Sequence, residues 1–270
     1  MKNFDISRFG NVLKWELAYN RQKTVRLLLT WFAVAFLLFM LIDVFTQSPI
    51  QLQGTGSAFF WISTVVLGIL SGSFIQNSMK TRQNRIDYLM LPASNLEKFL
   101  ARYLNVTIIS YAGFLLAFLT ADVLQYLLML VFDASHAEWI TAGLVSLNGE
   151  GGNPDSNPLL SAAAGLVAFW WIHSVYVLGG MFFRRLGWLW TTLIWQFAGT
   201  TLAVGCGWMV YKLLHVLYGD TFRVVLLDGA EKWLTVAYFV VMVGLVALNY
   251  WLGYRLFTRL QVINNRWFNK

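Results

Sequence analysis

Six stretches of this chain are long and apolar enough to cross a lipid bilayer, and no other feature constrains its fold as strongly. A spanning helix needs about 20 mainly apolar residues, each rising about 1.5 Å, to cross about 30 Å of hydrocarbon. The stretches are Leu27–Phe45, Ala58–Met79, Tyr103–Phe132, Leu159–Phe183, Trp188–Tyr211 and Trp233–Tyr254. No water reaches the backbone inside lipid, so each must satisfy its own hydrogen bonds as a helix. The third holds 30 residues, more than an untilted crossing takes, and its outer end is expected to project or kink. Composition agrees: the 270 residues are 58% hydrophobic and only 12% charged, about half the charge of a soluble domain. Aromatic residues make up 17%, with 13 Trp, which suits helix ends lying among headgroups. The single cysteine, Cys206, excludes an internal disulfide framework and a multi-cysteine metal site. The expected fold class is all-α, an integral membrane six-helix bundle. One transmembrane domain fills residues 1–270, with a cytoplasmic helix over 1–26, the bundle over 27–258 and a tail over 259–270.

The distribution of charge orients the bundle. Seventeen of the 20 lysines and arginines lie before the first span, between spans two and three, between four and five, or after span six. Lys212, Arg223 and Lys232 alone lie on the other side. The positive-inside rule therefore predicts cytoplasmic termini. Asp5, Glu16, Asp87 and Glu97 are the only carboxylates among 13 on that basic side. Residues 1–26 are polar and charged, without the short apolar run and cleavage site of a removable leader, so the N-terminus is expected to stay inside. Of the outer connections, Thr46 to Ser57 is uncharged and short, and Asn148 to Asp155 is a turn-rich segment that reads as a solvated loop rather than a calcium site. Lys212 to Lys232 mixes leucines and valines with charge and predicts a short re-entrant or interfacial pair of helices.

Two cytoplasmic segments stand out. Ile6, Phe9, Leu13 and Leu17 recur at helical spacing between Arg8, Asn11 and Lys14, which predicts an amphipathic helix lying along the inner leaflet with Trp15 as an anchor. Lys80 to Arg102 is the most charged loop, yet it carries the apolar run Tyr88-Leu89-Met90-Leu91, which needs lipid, a partner or its own bundle to cover it. Within it, Ser94 followed by Glu97 is a capping box: the hydroxyl and the carboxylate satisfy backbone donors at a helix start. A short helix is expected just after Pro92, with Leu96, Phe99 and Leu100 on its apolar face.

An amphipathic N-terminal helix, six spans with both ends inside, and Leu89-Met90-Leu91-Pro92-Ala93-Ser94 followed by Glu97-Lys98-Phe99-Leu100-Ala101-Arg102 resemble the membrane subunit of ABC-2 type ATP-binding cassette transporters. The resemblance spans the whole chain in topology and one segment in motif. It implies that Leu91, Pro92, Ser94, Leu96, Glu97, Lys98, Phe99 and Arg102 belong to a coupling helix seated in a groove of a separate ATPase subunit. It also implies a dimer with a second permease chain, identical or paralogous, in a bacterial inner membrane. The segment between spans five and six is similar to the family's small extracellular helices. The substrate class implied is lipid-like, peptide or otherwise amphipathic, moved outward by alternating access. No Gly-x-x-x-x-Gly-Lys-Ser/Thr phosphate loop occurs in the sequence, so ATP and Mg are expected in the partner ATPase. This chain is expected to hold no cofactor, catalytic residue or metal, and to contact lipid rather than nucleic acid.

Polar residues within the spans are functional suspects because lipid makes them costly. Asp43 and Asp122 fall near outer ends, where a carboxylate is expected to reach water. His173, Asn249 and Gln196 lie deeper and are the candidate substrate pathway, while Gln76 and Asn77 are expected to bridge helices. Ser71-Gly72-Ser73 and Gly179-Gly180 predict close helix approach. The rival reading is a membrane protein outside the cassette family: a substrate-binding subunit, a channel, or an intramembrane hydrolase using His173. His136, His173 and His215 lie on different segments, which gives no His-Glu-x-x-His zinc pair.

Overall fold

The computed structural model describes residues 4–45, 49–79, 81–132, 137–146, 158–183, 186–218 and 230–259. Every regular element among them is helical. In chain order these are α1 (Ile6–Phe45), α2 (Pro49–Ser73, continued by the 3-10 turn Phe74–Met79), α3 (Arg82–Leu89) and α4 (Asn95–Tyr103). A π turn, Leu104–Ile109, then leads into α5 (Ser110–Phe132), followed by α6 (Ile140–Ser146) and α7 (Pro158–Phe182). α8 (Gly187–Ile194), a second π turn (Trp195–Gly199), α9 (Thr200–Tyr218) and α10 (Ala230–Thr258) complete the chain. Five helical runs have the length and hydropathy of a membrane span: Ile6–Asp43, Gln51–Gln76, Asn95–Phe132, Ala162–Phe182 and Thr235–Thr258. The protein is an integral membrane protein. The expected fifth span, Trp188–Tyr211, is helical along α8, the π turn and α9 but is not among those five.

Several boundaries differ from expectation, each for a local reason. The amphipathic helix and the first span are one 40-residue helix, because neither Pro nor Gly interrupts the chain from Asn11 to Phe45. At about 60 Å it is twice the hydrocarbon thickness, so its charged half is more helix than one crossing takes and is continuous with the span rather than a separate surface helix. Its buried stripe is Val12, Glu16 and Asn20, while Ile6 and Leu17 of the expected apolar face are exposed. The connection Thr46 to Ser57 is mostly the start of α2, with Pro49 in the first turn, where its missing N–H costs nothing. Span three reaches Phe132 as expected and is longer at its basic end, where α4 runs through the π turn into α5. Lys212–Tyr218 is the last part of α9 rather than a separate short helix. The remainder of that outer connection, 219–229, the Asn148 to Asp155 segment and the tail from 260 lie outside the described residues.

The chain forms two compact units, residues 1–71 with 86–162 and residues 72–85 with 163–270. The first has an aromatic core of Phe39, Phe114 and Phe118 with Ala35, Leu52, Leu67, Ala121 and Ile140. Phe39 and Phe60 meet Phe118 edge to face at 5.2 and 5.0 Å, the arrangement ring quadrupoles favour. Beyond α5, the short helix α6 packs against it. Asp122, only 1% exposed, accepts from the N–H groups of Ile140 (3.0 Å) and Thr141 (3.1 Å) and from the Thr141 hydroxyl (2.7 Å). The carboxylate expected to reach water is instead a buried helix cap. Asp43 accepts a 2.6 Å hydrogen bond from Gln125.

The second unit depends on close backbone approach. A Cβ on Gly180 would lie 2.7 Å from the carbonyl oxygens of Gly72 and Ser73, and one on Gly72 would lie 2.9 Å from the Val177 nitrogen. Gln76 fastens the same junction, donating to the Met181 carbonyl at 2.9 Å. Ser73, Gly72 and Gly180 therefore meet as the sequence predicts, and van der Waals contact replaces the hydrophobic drive that lipid does not supply. The expected consequence is that Gly180→Ala destabilises the detergent-solubilised protein by about 1–3 kcal/mol through overpacking. Gly10→Ala, where an added methyl meets nothing within 4 Å, stabilises it by about 0.5–1 kcal/mol. Thermal unfolding of the two variants, which should move in opposite directions, checks this.

Candidate functional site

The expected capping box is present. Ser94 has extended backbone (φ −70°, ψ 156°) and its hydroxyl accepts from the Glu97 N–H, while the Glu97 carboxylate accepts from the Ser94 N–H at 2.8 Å. Local chemistry alone explains this half of the site, since an Ncap hydroxyl and an N3 carboxylate satisfy two donors that no helix turn can reach.

Tertiary structure adds a second role for the same carboxylate. Glu97 Oε1 accepts from the Asp5 N–H (2.8 Å) and from Arg8 Nη2 (3.1 Å). Asp5 in turn caps α1, its Oδ1 accepting from the Ser7 and Arg8 N–H groups. One fully buried carboxylate therefore holds the N-termini of α1 and α4 together, at the positive end of both helix dipoles.

Two turns further along α1 lies a buried ion pair. Arg102 Nη1 donates to both oxygens of Glu16 at 2.9 Å, and the side chains are 3% and 0% exposed. Glu16 also accepts from Asn20 at 2.7 Å and from Asn105 at 3.3 Å. Arg102 and Asn105, three residues apart across the start of the π turn, present donors to one acceptor. Four hydrogen bonds from three side chains on one carboxylate are what a buried charge requires.

The segment between α3 and α4 closes on the same core. The Tyr88 hydroxyl donates to the Lys98 carbonyl, and Lys98 Nζ donates to the Leu89 carbonyl at 2.7 Å, placing a cation at the C-terminal end of α3. The Tyr88 ring lies 5.9 Å from Trp15 and 5.9 Å from the Arg102 guanidinium. Burial, with the Glu16 charge nearby, pushes the Tyr88 hydroxyl well above its usual range, so it remains a donor. The apolar run Tyr88 to Leu91 is thus covered by the chain itself, except at Met90, which is 77% exposed.

These contacts divide the expected coupling residues in two. Glu97, Lys98, Phe99 and Arg102 face inward, Ser94 is the cap, and Leu91 is half-buried. Pro92 and Leu96 are exposed, so Leu96 lies outside the covered face on which periodicity placed it. Glu16, Asn20, Tyr88, Asn105, Asp5 and Arg8 are site residues that sequence reasoning missed. Glu16 carried one signal, as one of four carboxylates on the basic side; its pairing with Arg102, 86 residues away, carried none.

The candidate substrate residues are brought together in part. His173 Nδ1 lies 2.8 Å from the Tyr250 hydroxyl, and Asn249 donates to the Ser174 hydroxyl at 3.0 Å. Consecutive polar residues of α7 and α10 are therefore paired in register, with His173 fully buried. Gln196 is exposed on the second π turn. The Asn77 side chain lies outside the described residues. Among the described residues no three His, Cys, Asp or Glu side chains gather as a metal site would require.

No family model, curated protein or solved structure matches this chain.

Removing one partner of the Glu16–Arg102 pair strands a buried charge. Glu16→Ala and Arg102→Ala are each expected to cost about 3–5 kcal/mol, and the double variant less than their sum. Unfolding of the purified protein in detergent measures all three; additive losses would show that the two side chains are not coupled.

Proposed function

We propose that the chain is the membrane-spanning permease subunit of an ATP-driven exporter of the ABC-2 type. One observation carries the reading: the elbow between α3 and α4 turns Met90, Pro92 and Leu96 outward while α4 is fastened to α1 and continuous with α5. A partner pressing on that elbow moves the two longest helical runs of the chain, 40 and 38 residues, as one piece. In this reading Met90, Pro92 and Leu96 form the surface that meets a separate cassette ATPase, which holds the ATP and Mg. Ser94, Glu97, Lys98 and Arg102 transmit the displacement instead of making the contact.

The skewed basic residues, 17 of 20 on one side, support cytoplasmic termini and put this elbow where an ATPase can reach it. A second permease chain completes the pathway, and six spans per chain, counting Trp188–Tyr211, form each half. ATP-driven closure of the ATPase pair shifts the two halves between inward- and outward-open states. The aromatic, weakly polar interior, with His173 and Asn249 as its deep polar groups, favours an amphipathic substrate such as a lipid-like molecule or peptide. A bacterial inner membrane fits this organisation.

The test is purification of the tagged full chain from its native membrane in mild detergent, with mass spectrometry of what accompanies it. A stoichiometric cassette ATPase is expected. Met90→Glu combined with Leu96→Glu should reduce its recovery about ten-fold or more, since two charges would enter an apolar contact, without changing the permease's elution profile. A monodisperse preparation with no cassette ATPase would sink the reading and leave a channel or a substrate-binding subunit in its place.

A further inference from the structure

Charge on the N-terminal half of α1 is treated in two different ways. Arg8 is paired with Glu97, and Arg102 of α4 with Glu16. Arg21 and Arg26 have no carboxylate within ion-pair distance among the described residues, and both are exposed. With Gln22 and Val25 they line a groove of about 490 Å³. On a helix these four residues fall within about 140° of one another, beside the stripe of Val12, Glu16 and Asn20 that is buried. Lys23 lies 5.9 Å over the Tyr19 ring, which adds a third cation on the same turns.

The position of the groove selects its occupant. Leu27 begins the mainly apolar part of α1, so the two guanidinium groups stand within two turns of hydrocarbon, at headgroup depth. Guanidinium forks match phosphate oxygens in pairs of hydrogen bonds. Gln22 supplies both a donor and an acceptor for a hydroxylated headgroup, and Val25 offers an apolar surface for the start of an acyl chain. The phosphate-bearing molecule present at that depth is a phospholipid.

We propose that Arg21, Gln22, Val25 and Arg26 form a binding site for the phosphate headgroup of an anionic phospholipid on the face of α1 beside its α4 contact. The site depends on the membrane-spanning character of α1 and is independent of any ATPase partner.

Purified full-length protein in neutral detergent is titrated with tail-labelled phosphatidylglycerol, with phosphatidylcholine and with inorganic phosphate as competitors. Saturable phosphatidylglycerol binding is expected, with phosphatidylcholine about ten-fold weaker. Each arginine near the surface is worth about five-fold in affinity, so R21Q/R26Q should weaken binding about thirty-fold. R21K/R26K keeps the charge but loses the forks, so it should bind more tightly than R21Q/R26Q and more weakly than the unaltered protein, and shows that the fold tolerates substitution there. K14Q/R82Q removes two exposed cations elsewhere and should change affinity by less than about three-fold. Equal losses in R21Q/R26Q and K14Q/R82Q would reduce the effect to diffuse charge and overturn the site. Full displacement by millimolar inorganic phosphate would assign the groove to free phosphate and overturn the lipid.

Discussion

A carboxylate with no exposed surface must be surrounded by donors to offset its desolvation, and Glu16 sets that requirement for the charged end of this protein. Arg102, Asn20 and Asn105 meet it. Their positions determine how α1, α4 and the π turn lie against one another. The buried pair contributes definition more than net stability, because desolvation offsets most of the attraction. Glu97 repeats the device two turns away, where one carboxylate serves two helix starts. The segment from Tyr88 to Lys98 then closes over this core by hydrogen bonds to backbone carbonyls, leaving only the elbow apex outward.

Within the spans the balance of forces changes. Lipid is as apolar as leucine, so helices associate through shape and polar contacts rather than through the exclusion of water. The first unit uses aromatic rings edge to face, and the second uses glycine to bring carbonyl and nitrogen atoms together at Gly72 and Gly180. Polar pairs such as His173 with Tyr250 and Asn249 with Ser174 add register, since in a hydrocarbon medium a shifted alignment leaves each partner unsatisfied.

Much of this was legible in the chain. The Ser94–Glu97 box was readable because both its partners lie within one turn, and the approach of Gly72 to Gly180 followed from the absence of side chains. Continuity was harder to read. The amphipathic pattern before Leu27 suggested a helix of its own, yet nothing in the residues breaks α1, and the stripe that packs is polar, centred on Glu16. Asp122 looked like a residue at a watery span end because the segment that buries it, α6, is seven residues long, too short to read as a packed span. Leu96 and Phe99 were assigned one face by periodicity, whereas α4 buries Phe99 with Glu97, Lys98 and Arg102, following the donors at the start of α1, the Leu89 carbonyl and the Glu16 carboxylate.

The sequence by itself determined the membrane environment, the helical class and the start of α4, since these depend on hydropathy and on interactions spanning a few residues. It also determined which end of the protein is basic. Tertiary structure decided which charges are buried and which are displayed, because that choice is made by partners 86 to 92 residues apart, whose pairing leaves no trace in local pattern. Among the described residues it left Arg21 and Arg26 without a carboxylate while giving Arg8 and Arg102 theirs. Charges with partners can be buried as structure, and those without must face water, headgroups or ligand.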